Sequence, residues 1–371
     1  MFQGVGVGGT VTILGPRCQR IDFSALNRYI IRMTIRPLRV VLLFLAAVGI
    51  AIAGYTAYWY SAAEKLREEV TRWSEERRAA GWQVDLGVPN ISGFPSRIEI
   101  FLQTPRLEGP KRQWRWTAPN VRAFAAPWSL GKVSVFAPGI HVYTNRKGDF
   151  WAELGSAEAQ IAIAPSGLDQ AVIRFSSVDI RPPDGARLQA ETAIARIQSG
   201  VAIDAAVQPP EFGWGIAVDA RGVTLPGRWN PPLGRKMARL SLDAVLTGRI
   251  ERGPTLANTL ARWRDSGGVI EVKALAVDWQ ALALRAEGTF ALDEGLQPEG
   301  AMTADIRGID RTTDQLIAAG VIDARTAFAA KVANRALSFR GGSAKLPLSI
   351  QKQRLYMGPV PLLRLKLVRW D

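Results

Sequence analysis

The sequence predicts an α+β protein, mainly antiparallel β with a few helices, carrying one N-terminal transmembrane helix. Three observations carry that reading. Residues 40 to 60, from Val40 to Tyr60, form a run of 21 residues without a formal charge, enough to cross about 30 Å of hydrocarbon as a helix. Beyond it, apolar residues recur with period two, the signature of strands with one packed face and one wet face. Glycine and proline clusters separate those runs, so the strands are many and short.

The chain has 371 residues, of which 47% are hydrophobic and 22% charged, a balance that excludes wholesale disorder. One cysteine and one histidine exclude more. Zinc sites built from four cysteines, or from two cysteines and two histidines, are impossible within the chain, as are a paired-histidine site and an intrachain disulfide.

Residues 1–39 read as a cytoplasmic segment. Gly4, Gly6 and Gly9 match G-x-G-x-x-G formally, but no strand precedes them, so the match is attributed to chance. Met33 opens MTIRPLRVVLLFL, a natural basic start to an anchor, and translation beginning there is expected as an alternative start. Cys18 lies in this stretch, so the remainder of the chain folds without disulfides.

Residues 40–60 are the anchor. Tyr55, Tyr58, Trp59 and Tyr60 place amphipathic rings at its outer end, as in an interfacial belt. Its main rival is a signal peptide cleaved near Ala51 and Ala53. Arg28, Arg32, Arg36 and Arg39 precede the span and Lys65, Arg67 and Arg72 follow it, which favours an inside N terminus and export of everything after residue 60. The expected location is therefore the inner membrane, single-pass, with a periplasmic C-terminal domain.

Residues 61–80 read as a charged helix with a stripe at Leu66, Val70 and Trp73 and an i,i+4 pair between Glu68 and Arg72. It either continues from the membrane as a solvated helix or packs onto the domain. Gly81 is its expected C-terminal cap. From 81 to 371 the pattern is β-rich, with a possible sub-boundary near residue 251. Alternation marks Ile98, Ile100 and Leu102, then Phe212 to Val218, Leu240 to Leu246, Met302 to Ile306, and Leu363, Leu365 and Leu367. Helices are expected over 255–266 and 311–338, the second divided at Gly320 and striped by Phe328, Val332 and Ala336. The runs at 159–164 and 281–284 are apolar on both faces. Burial under a helix is the ordinary explanation, and a curved sheet holding acyl chains the less common one.

No assembled active site is legible. His141 stands alone in GIHVYT, no G-x-S-x-G elbow accompanies it, and a Walker loop is absent. Asn90 replaces the glycine that an elbow around Ser92 needs. Asp293 and Glu294 are adjacent carboxylates that read as a turn. Trp114 and Trp116 share a strand face, more in keeping with core packing than with a ligand platform. The net charge is +14, and +9 remains after the N-terminal segment is removed, spread without a basic run. That suits proximity to anionic head groups, or no partner at all, and argues against nucleic acid. No catalytic, cofactor-binding or metal-ligating residue is assigned, and no cofactor is expected.

Several features taken together carry a resemblance: the anchor, a charged helix ending at Gly81-Trp82, Ile91-Ser92-Gly93-Phe94-Pro95 before a strand, and Trp116-Thr117-Ala118-Pro119. The strand, turn and return from Leu282 to Gly300, the helix pair around Gly320 and the closing region from Lys345 to Leu367 extend it. The chain resembles the bacterial family named domain of unknown function 2125 and is similar, more loosely, to the AsmA-like envelope proteins implicated in lipid traffic. The resemblance implies an envelope protein of Gram-negative bacteria without an assigned activity. With the anchor and the missing active site, the expectation is a membrane-anchored protein that is not an enzyme, with the phospholipid bilayer as partner and a lipid ligand or envelope proteins as further partners. Its role would be lipid binding or scaffolding in the periplasm; the alternative is an envelope hydrolase using carboxylates.

Overall fold

A computed structural model describes residues 23–202, 212–338 and 345–370. Gly4, Gly6, Gly9 and Cys18 lie outside the described residues. The chain divides into two compact units, residues 1–60 and 61–371. Helix α1 (Phe23–Ala79) begins in the first and ends in the second. Within the first unit the helix is long and apolar enough to cross a membrane, and its residues from Leu38 to Gly54 are exposed, Leu43 by 71% and Ile50 by 74%. Such a surface is stable in lipid and costly in water.

From Ser61 onward α1 turns one side to the β-rich unit. Ala62, Ala63 and Ser74 are buried, and Ala62 and Leu66 share a small apolar cavity of about 270 Å³ with Ile98, Ile100, Ala123 and Val133. The charged helix therefore packs onto the domain. Its surface pairs are Glu64 with Arg67 and Glu69 with Arg72, three residues apart, rather than Glu68 with Arg72. Gly81 ends the helix at φ +84°, and the Trp82 N–H donates to the Arg77 carbonyl.

Among the described residues, 19 strands join one antiparallel sheet. The first eight are β1 (Gln83–Asp85), β2 (Asn90–Ser92), β3 (Ile98–Gln103), β4 (Arg106–Glu108), β5 (Trp114–Thr117), β6 (Asn120–Ala126), β7 (Ser129–Phe136) and β8 (Gly139–Asn145). They meet at β9 (Gly148–Ala164), whose length makes one edge fork. Its first half pairs with β8 and its second half with β7. One branch then runs β8, β5, β4, β1 and the other β7, β6, β3, β2. The Gly93-Phe94-Pro95 segment is the turn from β2 to β3. Gly93 has φ +103°, and a Cβ there would approach the Arg97 carbonyl to 2.7 Å. In the other branch Glu108 is buried, with Arg106 and Arg115 donating to its carboxylate. The hydrogen bond from Arg106 is the largest influence holding that carboxyl below its usual value.

On its other edge β9 starts a meander of sequential antiparallel neighbours. It runs through β10 (Gly167–Arg181), β11 (Leu188–Ala202), β12 (Phe212–Thr224) and β13 (Lys236–Leu246), then β14 (Ile270–Trp279), β15 (Leu282–Leu292) and β16 (Pro298–Arg307). β17 (Lys345–Gln351), β18 (Arg354–Met357) and β19 (Val360–Arg364) complete it. β13 and β14 pair directly, so the sheet continues across the composition seam near residue 251. Between them α2 (Leu256–Asp265) is capped by Thr255, whose hydroxyl accepts from the Asn258 N–H. Its buried Trp263 donates to the Thr247 carbonyl.

α3 (Ile309–Ala318) and α4 (Ala324–Ser338) separate β16 from β17, with Gly320 at φ +69° between them. They pack on β15, β17 and β19. Ile309 and Ala330 close over Ala304, Leu346, Leu348 and Met357 to form the main core. The buried side of α4 is Ala327 and Ala330; Phe328 is 71% and Val332 48% exposed, the reverse of the expected stripe. Small residues win the inner side because they let the helix lie close to the sheet. The closing alternation also stops early. β19 ends at Arg364, and Leu367 is exposed, because the Gln297 side chain instead clasps the Val368 backbone through two hydrogen bonds.

Leu346 is fully buried, whereas Leu240, on the same side of the sheet, is 37% exposed. Leu346→Ala is expected to cost about 2–5 kcal/mol and Leu240→Ala clearly less, in urea unfolding of the full chain in detergent. Equal costs would mean that Leu240 is covered in solution.

Candidate functional site

The register of the sheet sorts its side chains into two unlike faces, since residues directly opposite in a ladder project to the same side. One transverse row reads Ala159, Ile173, Ala195, Val218, Leu242, Leu275, Ala286, Ala304, Leu346. The next reads Ile161, Ala171, Ile197, Ile216, Ala244, Val272, Gly288, Met302, Leu348. Neither contains a polar side chain. The row behind them, on the opposite face, runs Glu158, Arg174, Ile194, Asp219, Ser241, Ala276, Arg285, Asp305, Lys345. The sheet is therefore continuously apolar on one side and charged on the other.

Cover on the apolar side is uneven. α3 and α4 seal it at β15 to β19, and α1 lies over β3, β6 and β7. Between these ends Ile173, Ile216, Val218 and Leu242 are only half-buried, and Ile163, Ile197 and Leu240 are more than a third exposed. This stretch, from β9 to β13, is an open apolar trough.

The trough deepens where β9 forks. A cavity of about 390 Å³ is lined by Trp116, His141, Tyr143, Phe150, Phe175 and their neighbours, almost all apolar. Trp114 and Trp116 share a face, as their spacing predicts: Trp114 stacks on Tyr143 with ring centroids 6.3 Å apart, and Trp116 lies beside His141. Tyr143 in turn meets Phe150. His141 is partly buried, and its Nε2–H donates to the Ala137 carbonyl at 2.7 Å, which fixes the ring on the cavity wall. Its surroundings are aromatic, so it serves as a polar tip on a greasy surface.

A local irregularity bends the trough. Ala152 and Leu154 line the cavity, but so do Ala157 and Ala159, so the alternation of β9 changes parity at Gly155. β10 does the same at Ser177, which has φ +50°. A Cβ on Gly155 would lie 2.8 Å from the Ser177 Cβ, so glycine is needed for the two strands to stay paired there. Slips of this kind twist and curve a sheet.

The charged face carries a polar cleft of about 600 Å³ lined by Glu153, Asp179, Arg181, Arg187, Gln189 and Thr224. Arg187 Nη2 donates to Asp179 at 2.5 Å and Arg181 Nη2 at 2.8 Å, while Arg181 also reaches Glu153 at 3.1 Å. Two guanidiniums face three carboxylates, since Glu191 also lines the cleft, which leaves no unneutralised cation for an anionic ligand. The same motif recurs at Asp219 with Arg221 and Arg239, and at Asp278 with Arg285. These are cross-strand braces on the wet face.

The remaining residues singled out in the sequence stay apart. Asp293 and Glu294 form the turn from β15 to β16, where Asp293 Oδ1 accepts from the Gln297 N–H. Ser92 ends β2, far along the other branch from His141 in β8. Among the described residues no three of His, Cys, Asp and Glu gather as metal ligands. The runs at 159–164 and 281–284 carry their larger apolar residues on one face: Gln160 and Ala162 face away from the trough, as does Ala283. Ile173, Phe175 and the Asp179 cluster were not anticipated. The signal of the first two is the run Ala171, Ile173, Phe175, hidden by the parity change two residues later.

Asp179 is lowered from 3.8 to about 2, chiefly by the hydrogen bond from Arg187, with burial opposing it. A group whose folded value lies below its unfolded one stabilises the fold above the unfolded value, and that contribution fades as pH falls from about 4 toward 2. At about 1.4 kcal/mol per tenfold change in proton affinity the contribution is about 2 kcal/mol. Asp179→Asn is expected to lose about that much at pH 7 and to flatten the stability profile between pH 4 and pH 2, as read by denaturant unfolding.

No curated protein and no solved structure matches the chain. A family model does, over residues 59–366, with the description "Uncharacterized protein conserved in bacteria (DUF2125)". The match takes in the packed half of α1, both branches of the fork and the whole meander. The chain belongs to that bacterial family of uncharacterised proteins, DUF2125.

Proposed function

We propose that this is a membrane-anchored, non-enzymatic envelope protein that holds lipid acyl chains in the apolar trough from β9 to β13. One observation carries the proposal: two successive transverse rows of the sheet are apolar throughout, yet among the described residues helices cover them only at the ends. A sheet face of this kind normally buries itself against another layer. An acyl chain is a suitable layer, because it needs no hydrogen-bond partners, and each methylene leaving water contributes about 0.8 kcal/mol. The anchor in the same chain supports this choice, since a helix long and apolar enough to cross a membrane ties the domain to a lipid bilayer.

The aromatic cavity at the fork is the natural end stop, with His141 and Tyr143 as the polar tips nearest a head group or chain terminus. The wet face supports the non-enzymatic reading, because Glu108, Asp179 and Asp219 are each engaged by two guanidiniums. The basic flank before residue 40 supports an inner-membrane anchor with a periplasmic domain.

A photoreactive residue placed at Ile173 or Ile197 is expected to yield phospholipid adducts in cells, and one at Arg174 or Arg196, on the opposite face, none. Mass spectrometry of the irradiated protein reads the difference. Equal labelling of both faces, or none on the apolar one, would leave only a scaffolding role. Orientation has its own test: alkaline phosphatase fused after Asp371 is expected to be active, and activity only from a fusion before the helix would reverse the topology.

A further inference from the structure

The excess charge of the chain has a location. Between residues 40 and 323, 31 bases balance 31 acids, whereas residues 324–371 hold ten bases and a single acid, Asp371. All of the +9 that follows the N-terminal segment therefore belongs to the last part of the fold, and the positive surface expected to be diffuse is concentrated.

One region displays it. In the turn before β18, the β18–β19 hairpin and the tail after it, Lys352, Arg354, Arg364, Lys366 and Arg369 are all exposed. Lys331 pairs with Asp314 and Lys345 lies 3.6 Å from Glu287, but among the described residues no ion pair engages those five. Arg354 and Arg364 stand directly opposite each other in the ladder. Like charges so placed repel, and a bound anion would relieve the repulsion. The tail is fixed by the Gln297 clasp on Val368 and by Trp370 Nε1, which donates to the Leu296 carbonyl. Leu367 thus projects, 63% exposed, between Lys366 and Arg369 on a held backbone.

Arg354 and Arg364 follow Gln351 in the ladder, so they project to the charged side of the sheet, away from α4. Guanidinium and ammonium groups beside a projecting Leu side chain suit a bilayer surface, where the cations meet phosphates and the apolar group enters the acyl boundary. A nucleic-acid backbone would use the bases and leave Leu367 in water.

We propose that the β18–β19 hairpin and the tail after it form a docking surface for anionic phospholipid bilayers. The proposal stands whether or not the trough holds lipid.

The test uses the full chain with Cys18→Ser and Leu367→Cys, labelled at the new thiol with an environment-sensitive fluorophore. It is reconstituted in phosphatidylcholine, or in phosphatidylcholine mixed with phosphatidylglycerol, with vesicles of the same composition added. Anionic lipid is expected to raise and blue-shift the emission severalfold, and about 0.5 M salt to reverse the change. Converting Arg354, Arg364, Lys366 and Arg369 to Gln is expected to abolish the response. Lysine at the three arginine positions is expected to keep it, which separates charge from folding. Equal emission in neutral and anionic lipid, or an undiminished response in the glutamine variant, overturns the proposal. So does a response to duplex DNA in phosphatidylcholine without one to phosphatidylglycerol.

Discussion

An antiparallel sheet with one wholly apolar face cannot leave that face in water, and this constraint organises the second unit of the chain. The faces are kept apart strictly. Nine successive strands contribute Ala, Ile, Val, Leu, Met or Gly to two transverse rows, while Arg–Asp braces occupy the other side. Burying such a face against packed elements is the main source of stability in a domain of this type. Among the described residues, α1 lies over β3, β6 and β7 at one end of the strand order, α3 with α4 over β15, β17 and β19 at the other, and α2 in the connection from β13 to β14. Ile163, Ile197 and Leu240, in the middle between those ends, stay more than a third exposed.

Two devices shape that middle. The long β9 pairs with two different strands along one edge and so splits the sheet into branches, opening the aromatic cavity between them. The parity change at Gly155 and Ser177 keeps apolar residues on the same side through the bend. Without it, Ala157 and Phe175 would project into the polar cleft while their neighbours entered the trough. Glu153 and Asp179 in that cleft are held by arginines, so the bend is braced on its wet side.

Much of this was legible in the sequence, and the reasons are physical. Leu240 to Leu246 and Ile98 to Leu102 lie in strands of constant parity, so alternation alone marks them. Thr255 and Gly320 mark helix ends because capping depends on local chemistry. β9 to β11 were less readable: the face residues Ile173, Phe175, Val178 and Ile180 follow no single period once Ser177 intervenes. The α4 stripe misled for a different reason. Phe328 and Val332 have the hydrophobicity of core residues, but close helix–sheet packing selects Ala327 and Ala330 instead. Which strands join across the fork was not recoverable, since β5 with β8 and β3 with β6 are non-sequential pairings fixed only by the assembled sheet. The match to the DUF2125 family, residues 59–366, spans this architecture.

The account rests on lipid occupying the face that the protein leaves uncovered. Residues 61–371, purified without detergent and extracted with organic solvent, give the most direct measurement by mass spectrometry. About one acyl-bearing lipid per folded chain is the expected result; a folded, lipid-free domain in which Ile197 and Leu240 are shielded by the protein itself would contradict it.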